Sequence, residues 1–337
     1  MASPTVRSYP VGSSPHEVPS IMVIGSLNTD LVTYTPRMPE AGETMAANGF
    51  RTGLGGKGAN QAVACAKLGR TSTSSQQGVA SVYMVGAVGD DVYGQKMTSA
   101  LTSVGVDTSG VAVHAGQSTG VAVILVDEAA GGENRILLSA EANASLKPED
   151  YKTSLPTPGG VLPSLLLLQL EIPLPTILQI LQTARRQGVP VLLNAAPAEQ
   201  LPDDAYACIT HLVVNETEAS FLSGTALDLA EDKRDAELAR VAGHFLQLGV
   251  QHVVITLGGS GVYHASPSSS GLVPACKTTV VDTTAAGDTF IGAYALGLVQ
   301  GQSIAQAVAW ANHAAAVAVS RRGAQESIPW MDAVNDA

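Results

Sequence analysis

The stretch Val281-Asp-Thr-Thr-Ala-Ala-Gly-Asp-Thr-Phe290 combines small residues, hydroxyls and two carboxylates in an order that could do chemistry. Ala285, Ala286 and Gly287 lead into an apolar run, 290–299, whose composition predicts a buried helix. Unpaired N–H groups at such a helix start face whatever lies in front of them and form an anion site. Asp288 stands inside that site. A carboxylate beside an anion hole is what phosphoryl transfer to a hydroxyl asks of a general base. Helix capping is the competing reading, because Asp is also a favoured N-cap.

Other segments carry polar groups at meaningful spacings. Gly53-x-Gly55-x-x-Gly58 matches the dinucleotide fingerprint in form only. It is not in the first strand-to-helix turn, and no acidic residue follows about 20 positions on to hold a ribose hydroxyl. It is not a P-loop either, since Gly58 follows Lys57 and Arg51 stands where the first glycine belongs. What remains is a pliable, lysine-bearing loop that brings backbone close to a ligand, or a purely structural glycine turn. Asn28 and Asp30 follow the first strand, where open α/β sheets bind ligands, and alternate positions aim both at one pocket. They suit hydroxyl recognition, although Asn and Asp are also common in turns. Glu171, in Leu168-Gln-Leu-Glu-Ile-Pro173, is either a loop residue or another hydroxyl acceptor. Asn215 and Glu218 have the spacing of a capping box. Thr256-Leu-Gly-Gly-Ser-Gly261 is a glycine-rich turn that also reads as a hairpin.

Asp282-Thr-Thr-Ala-Ala-Gly-Asp-Thr-Phe290 and Gly53-Leu-Gly-Gly-Lys-Gly-Ala-Asn-Gln61 resemble the C-terminal and N-terminal signatures of the ribokinase-like carbohydrate kinases. The resemblance runs from about Ile21 to Pro329, with its segments in family order. It implies ATP-dependent phosphorylation of D-ribose at O5, with Asp288 as base and the amides of Ala285, Ala286 and Gly287 as anion hole. It implies that Asn28, Asp30, Gly56, Lys57, Asn60 and Glu171 hold the sugar, and that Asn215 and Glu218 serve the nucleotide phosphates and hydrated Mg²⁺. Thr256, Gly258, Gly259, Ser260, Gly261 and Gly287 would line the nucleotide pocket, with Asn312 near the adenine. The segment Ala318-Val-Ser-Arg-Arg-Gly-Ala-Gln-Glu-Ser-Ile-Pro329 resembles a monovalent-cation loop, which implies K⁺ held by Asp282, Thr284, Ala318, Arg321, Gly323 and Ser327. Glu326 departs from the family pattern, which more often has a small residue or proline there. Relatives act on other small sugars or nucleosides, such as fructose, 2-deoxyribose and adenosine. The set Asn28, Asp30, Lys57, Asn60 and Glu171 favours a polyhydroxyl furanose over adenosine, which would want an apolar base pocket. From another class, a non-catalytic sugar-binding protein of the same fold is the rival; the intact Asp288 argues against it.

Positioning such residues takes a rigid scaffold. Val/Ile/Leu runs at 21–25, 82–88, 165–169, 189–194, 211–215 and 252–256 read as buried parallel strands. Helical patterns at 60–68, 93–104, 176–187 and 236–248 separate them, which predicts a doubly wound, mostly parallel α/β sheet flanked by helices. Residues 31–52 and 111–138 hold short strands with no crossover helix and are expected to form a small inserted β-sheet. The resemblance makes that sheet a lid over the sugar and often a homodimer interface. The expected organisation is a disordered tail at 1–19, a kinase domain at 20–330 and a C-terminal tail at 331–337.

The chain's 337 residues are 45% hydrophobic but only 14% charged, enough for one large core. A net charge of −11 argues against nucleic acid or an anionic membrane as partner, and requires any ATP site to be made positive locally. Three scattered cysteines, Cys65, Cys208 and Cys276, show neither metal spacing nor a disulfide framework and favour a reducing compartment. The cytoplasm is the expected location, with the nucleus also compatible. The Ser/Pro-rich start lacks the apolar core of a secretory signal.

Overall fold

A computed structural model describes residues 18–73 and 78–337; the expected disordered tail falls, but for Val18 and Pro19, outside them. The central sheet has nine strands in the order β13-β12-β11-β10-β9-β8-β1-β4-β5. Its middle is built from β1 (Ser20–Ile24), β4 (Ser81–Gly89), β8 (Leu165–Leu168), β9 (Val191–Asn194), β10 (His211–Asn215) and β11 (His252–Thr256), all parallel. The antiparallel strands β12 (Val262–Ala265) and β13 (Ser270–Val273) finish one edge.

Strand alternation divides the core. Met22 and Ile24 of β1 and Leu166 and Leu168 of β8 join one apolar cluster with helices α3 (Leu174–Gln187) and α6 (Arg234–Gln247). Ile21, Val23, Leu165 and Leu167 face the opposite cluster, built with α1 (Lys57–Leu68), α2 (Val92–Ser103), α7 (Ala286–Val299) and α8 (Ile304–Val319). Both strand faces are covered, which is why these strands read as unbroken apolar runs. Each fully buried leucine contributes about 2 kcal/mol of transfer free energy.

A separate four-stranded sheet has the order β3-β2-β6-β7, from β2 (Asn28–Thr35), β3 (Gly49–Gly55), β6 (Gly120–Asp127) and β7 (Glu133–Ser139). Three expectations need adjustment. The second lid segment does not begin at 111: β5 (Asp107–His114) pairs in parallel with β4 and forms an edge of the central sheet. The first lid segment begins before 31: β2 starts at Asn28, so Asn28 and Asp30 follow β1 as expected but lie inside a strand of the small sheet, where alternation puts both side chains on one face. The chain's end is not a loose tail, because α9 (Met331–Asn335) buries Val334 to 1% exposure in the second cluster. A five-residue helix with one fully buried residue is too short a pattern to read from sequence. Among the described residues, no helix is long and apolar enough to cross a membrane.

Candidate active site

The site forms where α1 and α7 begin, beside the C-terminal ends of the parallel strands. Gly56 precedes α1 at φ 85°, and a side chain there would lie 2.7 Å from the Asn28 nitrogen. Only glycine combines that conformation with so close an approach. The first amides of α1 are then satisfied from other elements: Lys57 N–H donates to Glu171 Oε2 (3.0 Å) and Ala59 N–H to the Ser26 carbonyl (2.9 Å). Ser26 Oγ also donates to Glu171 Oε2 (2.6 Å). Glu171 is therefore a helix cap supplied from a distant loop, besides whatever its second oxygen accepts.

At the start of α7, Ala285 adopts a left-handed conformation at φ 58°, which costs a non-glycine residue about 1 kcal/mol. Asp288 does not cap this helix. Its buried carboxylate, 7% exposed, accepts from Asn60 Nδ2 on Oδ2 (2.9 Å) and from Gln61 Nε2 on Oδ1 (3.0 Å). The capping reading fails for a simple reason: Asp288 is the third residue of α7, and its side chain turns toward α1 instead of back along its own helix. Of the expected anion-hole amides, that of Ala286 is committed, donating to the Thr283 carbonyl at 3.2 Å. Gly287 and Ala285 line the adjoining cavity.

That cavity, about 200 Å³, is lined by Lys57, Asn194, Asn215, Glu218, Thr256 and Asp288, among others. Burial draws the Lys57 ammonium down, but the carboxylates of Asp288, Glu171 and Glu218 outweigh it and hold Lys57 above its usual value. Burial pushes Glu218 upward, against hydrogen bonding from Asn215 and the charge of Lys57. Asp30 is pushed up to about 7, first by burial and then by the charges of Glu171, Asp288 and Glu326. Asn28 Oδ1 accepts from Asn143 Nδ2 (2.8 Å), which leaves the Asn28 amide nitrogen as the group it can present.

The nucleotide set is brought together only in part. Asn215 and Glu218 line the cavity and also make a reciprocal capping box, both bonds 2.8 Å, so the two readings of that pair coexist. Thr256 lines the cavity, whereas Gly258, Gly259 and Ser260 form an exposed turn between β11 and β12, with Gly261 buried behind it. Asn312 on α8 lies apart, its Nδ2 donating to the Pro274 carbonyl (2.7 Å).

In the expected cation loop, Asp282 accepts from Thr284 N–H (2.9 Å), Thr284 Oγ1 (2.6 Å) and Gly323 N–H (3.0 Å). Burial opposes ionisation of Asp282, but these donors and Arg51 hold its carboxyl below the usual range. Ala318 accepts from Arg321 N–H (3.0 Å), and buried Ser327 donates to the Ala324 carbonyl (2.8 Å). The Gly323 bond ties the turn at Asp282 and Thr284, before α7, to the segment that follows α8.

Residues 18–331 match the family described as pfkB family carbohydrate kinase. The chain belongs to that family. It is 43% identical over 315 residues to the ribokinase of Schizosaccharomyces pombe, covering 92% of this chain and 95% of that protein. It is 37% identical over 317 residues to the deoxyribokinase of Salmonella typhi, covering 94% and 97%. The solved structure of Arabidopsis thaliana ribokinase complexed with ribose and ATP is similar at a TM-score of 0.79 and 30% identity, covering 95% of this chain and 98% of that one.

Family membership makes the chain a carbohydrate kinase enzyme, and the mostly parallel sheet with its small second sheet is the fold the signatures implied. Ser26, Gln61, Asn143, Gln169 and Asn194 also belong to the site, without a local motif that marks them. The signal they carry is a polar side chain at an apolar strand end or in a buried helix turn.

Proposed function

We propose that this kinase transfers the γ-phosphoryl group of ATP to O5 of D-ribose. The observation that carries the reading is Asp288, buried at the wall of a cavity shared with Lys57, Asn215 and Glu218, and held by Asn60 and Gln61 instead of capping its own helix. The names and bound molecules of the ribokinases similar to it support ribose and ATP as the substrates. Asp288 accepts the proton of the 5-hydroxyl as that oxygen attacks phosphorus. Lys57 and the Gly287 amide take up developing negative charge, while Asn28, Asp30 and Asn60 orient the sugar hydroxyls. Closure of the β2–β3–β6–β7 sheet excludes water, which would otherwise compete as acceptor.

Glu218 and Asn215 would hold Mg²⁺ with its waters; Mg²⁺ keeps several waters and few carboxylate contacts, and among the described residues no cluster of three or more acidic, His or Cys ligands competes for it. Bound Mg²⁺ supplies charge neutralisation of the phosphates. The turn at Asp282 and the segment around Gly323, joined by a hydrogen bond, would hold K⁺, adding positive field beneath the start of α7. A homodimer through the small sheet is supported by β7, where Ile136, Leu137 and Leu138 are all exposed. The free state of Cys65, Cys208 and Cys276 supports a reducing compartment such as the cytoplasm.

The test is ATP-dependent ADP release with D-ribose, 2-deoxyribose, fructose, adenosine or no sugar, in K⁺ and in Na⁺ buffer. Ribose is expected to give the highest kcat/KM, K⁺ to exceed Na⁺, and Asp288→Asn to lower kcat by about 10³-fold. Higher kcat/KM on another acceptor would overturn the substrate, and an active Asp288→Asn enzyme would overturn the base.

A further inference from the structure

We infer that Gln61 is a positioning residue for Asp288, the anchor of a buried amide chain that fixes how the carboxylate is turned. The inference rests on the reading of Asp288 as the base. Gln61 is 0% exposed, and both of its amide hydrogens and one of the two lone pairs on its amide oxygen are committed. Nε2 donates to Asp288 Oδ1 (3.0 Å) and to Asn194 Oδ1 (3.1 Å), and Oε1 accepts from Gln169 Nε2 (2.6 Å). The amide cannot flip, because the reverse orientation would set its oxygen against two acceptors and its nitrogen against a donor.

The anchors are themselves held. Asn194 sits at the end of β9 and donates through Nδ2 to the Val213 carbonyl of β10 (3.3 Å). Gln169 follows β8, also buried, with its Oε1 lacking a hydrogen-bond partner and packed where a side chain on residue 25 would stand; only Gly25 leaves that room. Three strands of the central sheet therefore set the orientation of one side chain on α1, which sets one carboxylate on α7.

Asn60 and Gln61 are consecutive helical residues, whose side chains leave the axis about 100° apart. They reach the two oxygens of the same carboxylate only because α7 starts across the first turn of α1. Each oxygen is pinned by one N–H, so the carboxylate plane is fixed and its remaining lone pairs point in set directions. Buried amides with an orphaned oxygen are a costly way to fill this space, since an apolar side chain of the same size would pack there without desolvating polar groups. The cost is intelligible if the network's task is to aim the base.

A double-mutant cycle with D-ribose and ATP tests this. Gln61→Met keeps length and removes the donors; Gln61→Leu removes them with a more compact apolar side chain and serves if the Met enzyme does not fold. Either variant is expected to lose about 10- to 100-fold in kcat while KM for both substrates stays within about 3-fold. In the Asp288→Asn background the same substitution is expected to add no further loss, because a residue acting through Asp288 has nothing left to aim. Wild-type kcat in both variants, or a loss that multiplies in full with that of Asp288→Asn, overturns the inference. Full activity of Asp288→Asn alone instead overturns the base and is distinguishable from either result.

Discussion

Asp30 shows how costly the assembled site is at the scale of one residue. Its carboxyl lies over Gly55, where any side chain would fall 2.3 Å from its oxygens, and it shares its surroundings with three further acids. With the folded value raised from 3.8 to about 7, the folded chain keeps a proton that the unfolded chain has released between those limits. The unfolded state then binds fewer protons, so stability falls as pH rises through that window and the loss is complete above about 7. Asp30→Asn removes the titration. Thermal melts without ligand are expected to show the substitution raising Tm at pH 8 and changing it much less at pH 5. Equal shifts at both pH values would show that burial of Asp30 carries no charge penalty.

Among the elements, the contact between α1 and α7 does most to build the site, because it brings Asn60 and Gln61 to Asp288. The helices approach through small residues. A side chain on Gly292 would stand 2.4 Å from the Ala64 Cβ and 2.8 Å from the Cys65 backbone nitrogen, so backbone would have to move. Gly292→Ala is expected to cost about 1–3 kcal/mol by overpacking, read as a lower denaturant midpoint in urea. It should also lower kcat more than a comparably destabilising change far from α7, since separating the helices lengthens the bonds to Asp288. Much at this scale was legible beforehand: β10 and β11 occupy the expected residues, and the other core strands and helices lie within a few positions of theirs. The assignment of residues 111–114 was not. A strand at the edge of one sheet and a strand of a second sheet have the same alternating pattern, and only pairing with β4 tells them apart.

For the molecule as a whole, the small sheet is the unfinished part. β7 is exposed along its whole length, with Leu137 at 67%, and Phe50 on β3 is 62% exposed at the opposite edge. An open edge strand carrying apolar side chains is a liability in a lone chain and an asset in a pair. The wild-type chain is expected to sediment as the proposed homodimer and Leu137→Lys as a monomer in sedimentation equilibrium, with the far-UV circular dichroism spectrum retained. A wild-type chain that sediments as a monomer would exclude this interface.

What the sequence by itself determined follows from local chemistry. Strand and helix periods set the layered α/β order, and the glycines and small residues of 53–58 and 285–287 mark where backbone must come close or turn sharply. The family signatures implied a carbohydrate kinase, which the family membership bears out, and pointed to Asp288 as the base proposed above. Tertiary structure alone decided which of several local readings each polar residue takes. Asp288 could have capped α7, but α1 crossing its start turned it into the receiver of two amides from positions 227 and 228 residues away. Glu171 became the cap of a helix 114 residues distant in sequence, and Gln61, inconspicuous beside Asn60, became the centre of a buried network. A hydrogen bond between remote positions leaves no periodic trace in either segment, so the partners of a polar residue are decided by how the helices and strands cross.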